Sequence, residues 1–377
     1  MINNLYGGGA EKILQTLLGQ LDQDVYDITL YGVKNEKYDT ALYPKGVQYR
    51  SVYNGGYKGG GSLKNQLSIK IMNKLKSFVY NRFSAKVFYK WFIKGDYDVE
   101  VAFIEGYSTR IISGSNQNSI KIAWVHIDLE ANHWSEIAYN NYEDECNSYT
   151  KFDHIVSVSK SVQDAFSRKF NMNKRLTVKY NPVDRENIIE KSKLKPTVNI
   201  ESDKVLQLVT VGRLEPQKGY DRLLEVLNRL KNESFSFHLR IIGEGSQRSE
   251  LENYIKNHKL QNEVNLMGFQ SNPYQFIALA DAFVCSSRSE GFSTVVTEAL
   301  ILGKPVVATD CAGMLELLGK NEFGLITENN KEALYEGLKR FLEDEKLRAY
   351  YTEKSKERSG DFDSRKTLAR IEELWKK

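Results

Sequence analysis

Short apolar runs alternate with helical patterns through the second half of the chain, and this alternation narrows the fold more than any other feature. The runs are Val205–Val211, Phe237–Ile242, Ala282–Ser286 and Pro305–Thr309, and the helical patterns between them are Tyr220–Leu230, Gln247–Asn257 and Ser293–Leu302. Strands alternating with helices imply a parallel sheet wrapped on both faces. The first half repeats the theme less cleanly, with strand candidates at Asp27–Tyr31, Val47–Val52, Val99–Ile104, Ile120–His126 and His154–Ser159 and a long helical region over Leu63–Lys94. At 377 residues and 41% apolar content, the chain can fill two cores of ordinary size. The expected architecture is α/β, with two Rossmann-like, doubly wound domains over residues 1–183 and 205–345. A polar span, 184–204, carries Pro196 and is expected to link them, and helices are expected over 346–377.

Lysine and arginine total 53 against 49 acidic residues, a net charge of +4, which argues against a dedicated nucleic-acid binder. Cys146, Cys285 and Cys311 lack metal-ligand spacing, and their odd number fits a reducing compartment. No apolar run approaches the ~20 residues that span a bilayer, and no secretory pattern opens the chain. The expected location is cytoplasmic, including the inner face of a membrane.

Open parallel sheets bind ligands beyond the carboxyl ends of their strands, so the loops there carry the chemistry. After Val205–Val211 come Gly212-Arg213-Leu214 and Gln217-Lys218-Gly219, two cations beside a helix start that suit a diphosphate; a solvated loop is the alternative. After Ala282–Ser286 come Glu290, Gly291, Phe292, Ser293 and Thr294, with Glu298 two turns along the next helix. Two carboxylates flanking a helix N-terminus fit the order sugar, diphosphate, ribose. Alternatively Glu290 caps the helix and Glu298 lies on the surface. Gly7-Gly8-Gly9-Ala10-Glu11 opens the first helix, and His126 ends a strand with Asp128 nearby. Gly243-Glu244-Gly245 forms a tight turn, and Met267-Gly268-Phe269 offers backbone groups to a base. Asp22-Gln23-Asp24 and Asp361-Phe362-Asp363 match a metal-binding shorthand, but neither falls at a strand's carboxyl end, and no metal is expected.

Taken together, these segments resemble the family-four retaining glycosyltransferases, also called glycosyl transferases group 1. The resemblance rests on Gly8-Gly9-Ala10-Glu11, Trp124–Asp128, Asn181-Pro182-Val183, Gly212-Arg213-Leu214, Gln217-Lys218-Gly219, Gly243-Glu244-Gly245, and Glu290-Gly291-Phe292 through Glu298-Ala299-Leu300. It implies the GT-B fold, two Rossmann-like domains facing across a cleft, with terminal helices crossing back to the first domain. It places Arg213 and Lys218 on the donor diphosphate, Glu290 on the donor sugar, Glu298 on the ribose and His126 beside the reacting carbon, with Gly8 and Gly9 approaching the donor. The donor-binding set is completed by Gly212, Gly243, Gly268, Phe269, Gly291, Phe292, Ser293 and Thr294. The implied activity is retaining transfer of a hexose or N-acetylhexosamine from a UDP-linked sugar, a co-substrate rather than a cofactor, to a saccharide or lipid-linked acceptor of envelope or capsular polysaccharide synthesis. A sugar-nucleotide epimerase or an inactive nucleotide-sugar-binding protein remain the alternatives.

Two further expectations follow. The Leu63–Lys94 segment holds Lys64, Lys70, Lys74, Lys76, Arg82, Lys86, Lys90 and Lys94 without an acidic residue, while Leu67, Ile71, Leu75, Phe78 and Val79 recur at helical spacing. Such a helix can lie on an anionic membrane surface or simply carry a solvated basic face. Family members begin with a strand leading into the glycine loop, whereas only Met1–Tyr6 precede Gly7 here. The reading expects a truncated first strand that leaves its neighbours unpaired.

Overall fold

The computed structural model describes residues 1–5, 8–34, 43–53, 63–115, 118–195 and 205–376, without the side chains of 63–66. Gly7, the glycine-rich stretch 55–61 and Pro196 lie outside the described residues. Two compact units form, Met1–Pro182 with Arg365–Lys377, and Val183–Ser364.

The second unit is a six-stranded parallel sheet built from β-strands at Leu206–Val211, Phe237–Ile242, Val264–Gly268, Ala282–Cys285, Val306–Thr309 and Leu325–Thr327. With the first unit's six strands counted ahead of them, these are β7 to β12, and their order across the sheet is β12-β11-β10-β7-β8-β9. Alternate residues enter opposite cores. Leu208, Leu239, Val284 and Val307 meet the helices Tyr220–Asn232 and Lys331–Glu343, while Val209, Phe283, Val306 and Ala308 meet Tyr274–Leu279 and Thr294–Ile301. Burial on both faces explains why these strands are mostly apolar rather than strictly alternating. The chain winds outward through β8 and β9, then returns beside β7 as β10, so the winding reverses between β7 and β10.

The first unit contains β1 Thr29–Lys34, β2 Gln48–Tyr53, β3 Val99–Ala102, β4 Ile120–Val125, β5 His154–Ser157 and β6 Leu176–Val178. Pairings β1-β2 and β3-β4-β5-β6 are parallel. Between them runs Met1–Asn3: the Ile2 N–H donates to Tyr31 O, Val33 and Lys34 donate to Ile2 O and Asn3 O, and Phe103 donates to Met1 O. The Met1 amine donates to Val101 O at 2.6 Å. Three residues thus satisfy both neighbours, which corrects the expectation of unpaired strands. The order becomes β2-β1-(Met1–Asn3)-β3-β4-β5-β6, with a winding reversal beside β3.

Three further spans differ from their expected form. The span 184–204 opens with a helix, Arg185–Ser192, capped by Asp184, whose Ile188 is buried in the second unit's core. Of the terminal helices, Glu345–Ser359 belongs to the second unit, and only Arg365 onward groups with the first. There the Tyr26 hydroxyl donates to Glu372 at 3.1 Å and Tyr26 meets Trp375 edge-on at 5.2 Å. The Leu63–Lys94 region breaks into two helices, Leu63–Arg82 and Ala85–Phe92.

Candidate active site

The crevice at a winding reversal is where an open parallel sheet holds its ligand. In the second unit the loops after β7 and β10 flank it, and they bring Lys218 and Glu290 together across 72 residues of sequence: Nζ lies 2.6 Å from Oε1. The Ser287 hydroxyl donates to the same oxygen at 2.6 Å. Lys218 is 19% exposed and Glu290 10% at the side chain. Burial works against the Lys218 ammonium, but the charge and hydrogen bond of Glu290, together with Cys285 and Tyr220, outweigh it and hold the lysine above its ordinary value. The residues that the resemblance places on the diphosphate and on the sugar are thus paired with each other.

The capping alternative for Glu290 does not hold, because Ser293 occupies the N-cap of the helix Thr294–Ile301 and no side chain caps it. Among the described residues, the buried Ser293 hydroxyl has no hydrogen-bond partner, a donor–acceptor group at a helix start. Glu298 is 1% exposed, so it is no surface residue. Arg213 is exposed, and among the described residues its guanidinium makes no ion pair. Gly291 is buried, Phe292 and Thr294 are half-buried at the same loop, and Phe269 stands 75% exposed after β9.

Two glycines are required by close approach. A Cβ on Gly243, at φ +146, would sit 1.9 Å from Gly212 O, and one on Gly219, at φ +66, 2.2 Å from Ser286 O. These contacts pull the β7, β8 and β10 loops together. Gly268 also has positive φ, +69.

Arg222 escaped the sequence reading. Its guanidinium, 7% exposed, donates to Ser286 O, Ser287 O, the Thr309 hydroxyl and Asn329 Oδ1. Asn329 in turn donates to Arg288 O at 2.8 Å. A planar fork satisfied by carbonyls fixes the loop that carries Ser287 and Glu290. Its helix is otherwise an ordinary amphipathic pattern, so nothing local marks the arginine as buried.

In the first unit, Gly8 is the N-cap of the helix Gly9–Gln20 and makes no side-chain cap. His126 follows β4 and is half-buried, with the Phe103 and Trp124 ring centroids 5.0 and 6.5 Å away. Among the described residues, its buried Nε2 has no hydrogen-bond partner. Burial pushes the imidazole down to about 4, the Phe103 carbonyl partly opposing, so it is neutral at physiological pH. Asp128 caps its own turn, accepting from the Glu130 and Ala131 N–H groups at 2.8 and 3.0 Å. Glu105, 1% exposed, also escaped the sequence reading. Asp22 accepts from the Asp24 N–H and Asp361 pairs with Arg358, both local turn contacts.

Two doubly wound units of this kind, each with loops meeting at a winding reversal, define the GT-B class. HepE from Anabaena, solved in complex with UDP and glucose, shares the fold with TM-score 0.73, 20% identity and coverage of 99% of this chain and 97% of HepE. WaaB, a lipopolysaccharide outer core galactosyltransferase in apo form, gives TM-score 0.66 at 17% identity over 99% of this chain and 97% of WaaB. Residues 191–358 match the family described as Glycosyl transferases group 1. The chain is 38% identical over 218 residues to the N-acetylgalactosamine-N,N'-diacetylbacillosaminyl-diphospho-undecaprenol 4-alpha-N-acetylgalactosaminyltransferase of Campylobacter jejuni. That match covers 57% of this chain and spans 58% of the relative's own length.

Proposed function

We propose that this chain is a retaining, metal-independent glycosyltransferase that moves a hexose or N-acetylhexosamine from a UDP-linked donor to a saccharide or lipid-linked acceptor in envelope polysaccharide synthesis. The observation that carries this reading is the Lys218–Glu290 pair at the winding reversal of the second unit. Breaking a glycosyl–phosphate bond builds negative charge on the departing diphosphate and positive charge on the sugar ring, and catalysis follows from groups preorganised for both. Lys218 and the exposed Arg213 meet the first. Glu290 meets the second. A diphosphate arriving at Lys218 competes for its ammonium and releases Glu290 Oε1 to a sugar hydroxyl. Ser293 and the N–H groups of its helix suit a phosphate oxygen, and Glu298 suits the ribose. The leaving phosphate oxygen takes the acceptor's proton on the same face, so no strong protein base is needed. UDP in the HepE complex and diphospho-undecaprenol in the name of the Campylobacter relative support the donor and acceptor classes.

A panel of nucleotide sugars read by thermal shift and by donor consumption, with and without chelator, tests this. A UDP-sugar is expected to raise the melting temperature and to be consumed with an acceptor at a rate that chelation leaves unchanged. Consumption into an isomer without acceptor would make the chain an epimerase. Binding without turnover across a broad acceptor panel would make it an inactive binding protein.

The acceptor side of the reading rests on the helix Leu63–Arg82. Leu67 and Ile71 are 60% exposed, Leu75 44% and Phe78 56%, a line at spacings of four, four and three residues. Lys70, Lys74 and Arg82 are exposed beside it. Val79 is buried, and Lys76 turns inward to donate to Val52 O at 2.6 Å, so neither belongs to the surface stripe. Apolar side chains ringed by cations match an anionic leaflet. Phosphatidylglycerol vesicles are expected to co-float the protein at low salt, and Ile71→Asp with Phe78→Asp to abolish it. Equal flotation of wild type and double variant would place any contact elsewhere.

A further inference from the structure

Glu105 lies where the first unit's sheet reverses its winding. It is three residues past Ala102, and His126 is three past Ala123, the β4 residue paired with Ala102. Glu105 Oε1 accepts the backbone N–H of His126 and, at 3.1 Å, that of Ile127. Among the described residues, its buried Oε2 has no hydrogen-bond partner. The Asn3 side chain donates to the Glu105 carbonyl at 3.2 Å and accepts from the Ser108 N–H, fixing the same turn from the Met1–Asn3 side.

A buried carboxyl with an unmet oxygen works against stability, so its place at a ligand-binding edge needs another account. We propose, resting on the transferase reading, that Glu105 is a positioning residue, a carboxylate clamp that sets the His126–Ile127 backbone for the reaction beside it.

Charged acceptors make the stronger hydrogen bonds, so the clamp tightens when Glu105 ionises. Burial pushes the Glu105 carboxyl up to about 7, against its own bonds from the His126 and Ile127 N–H groups, and the Glu145 charge pushes the same way. The groups that face it are Glu145 and Tyr149 from the helix Tyr142–Tyr149, and His126 from the β4 end. Glu145 is itself bonded to His133 and Ser135, while Arg110 on the adjoining helix turns to Ala138 O and the Tyr80 ring. Among the described residues no cation bonds Glu105. His126, held near 4, stays neutral through the range in which Glu105 titrates.

The sign is fixed by the raised value. The carboxyl's contribution to stability is fully present below its unfolded value and is lost as pH rises through the folded value near 7, while the clamp strengthens over the same interval. Stability and turnover should therefore move in opposite directions.

The chain has five histidines, so ¹⁵N-histidine labelling gives a sparse spectrum in which His126→Gln identifies the His126 amide. That amide is expected to shift with a midpoint near 7 in wild type and to lose the transition in Glu105→Gln. The Gln variant should melt like wild type in acid and above it in base. Its turnover should fall several-fold at alkaline pH and lose the acid limb that wild type shows. A His126 amide that does not titrate in wild type, or titrates equally in Glu105→Gln, overturns the clamp. A titrating amide with no acid limb in wild-type turnover overturns its part in the reaction. If no donor is turned over at all, the transferase reading fails while the amide titration still decides the clamp. Should the Gln variant not fold, wild-type spectra and Glu105→Asp, which shortens the reach to the amides, carry the same test.

Discussion

Glu290→Gln is expected to lower kcat roughly 100-fold or more, the scale set by removing one preorganised charge-stabilising group, while leaving affinity for free UDP intact or tighter. The second half of that expectation comes from the ion pair: Lys218 Nζ lies 2.6 Å from Glu290 Oε1, so a diphosphate that uses Lys218 must compete with the carboxylate. A glutamine keeps the shape and still accepts from the Ser287 hydroxyl, but it no longer competes as an anion. Glu298→Gln is expected to behave differently: its loss falls on UDP affinity, through the ribose, and less on the chemical step. A contact needed mainly in the transition state appears in kcat, and one made equally in ground and transition states appears in KM. Titrations with free UDP, steady-state rates and melting temperatures for both variants separate the roles. Equal UDP affinities together with equal residual rates would remove the assignment of sugar to one glutamate and ribose to the other.

The second unit was legible from sequence because its strands are buried on both faces. Phe237–Ile242 keeps an apolar pattern despite His238 and Arg240, and its bounds in the sheet are those of the run. β6 and β12 were not legible: each has three residues, too few to show a period. Met1–Asn3 shows why the first strand looked missing. Its hydrogen bonds, not its length, make it part of the sheet. The site followed the same division. Residues at strand ends could be placed by the fold rule alone, and Lys218, Glu290 and Ser293 fall where that rule puts them. What the rule cannot supply is partnership. Lys218 and Glu290 are 72 residues apart, and Arg222 reaches Asn329 over 107. Asp128 shows the converse error, since proximity in sequence to His126 suggested a partner where the carboxylate only closes its own turn. Glu105 was invisible because its function, if judged by sequence, resembles any acidic residue after a strand; only burial and the two N–H groups on Oε1 single it out.

Lys218→Ala is expected to weaken UDP binding about 10- to 150-fold, the equivalent of roughly 1.5–3 kcal/mol for one charge-assisted contact, and to destabilise the ligand-free protein as well. The stability loss arises because the buried Glu290 carboxyl, 8% exposed, would lose its ion-pair partner and, among the described residues, keep the Ser287 hydroxyl as its side-chain donor. Breaking a fully buried pair costs about 3–5 kcal/mol, and the partial exposure here places the expected loss nearer 2 kcal/mol. Lys218 is held above its ordinary value, so the pair's contribution is fully present below the unfolded lysine value of 10.5 and is lost only as pH rises through the folded one. The destabilisation should therefore be constant across neutral pH. A double variant, Lys218→Met with Glu290→Gln, removes the stranded charge along with its partner and is expected to recover most of the lost stability without recovering turnover. Full recovery of UDP affinity in that double variant would mean that the diphosphate does not use Lys218, and the phosphates would then belong to Arg213 and the Ser293 helix start alone. Stability that falls equally in the single and double variants would instead assign Lys218 to packing against the β7 and β10 loops, with its charge incidental.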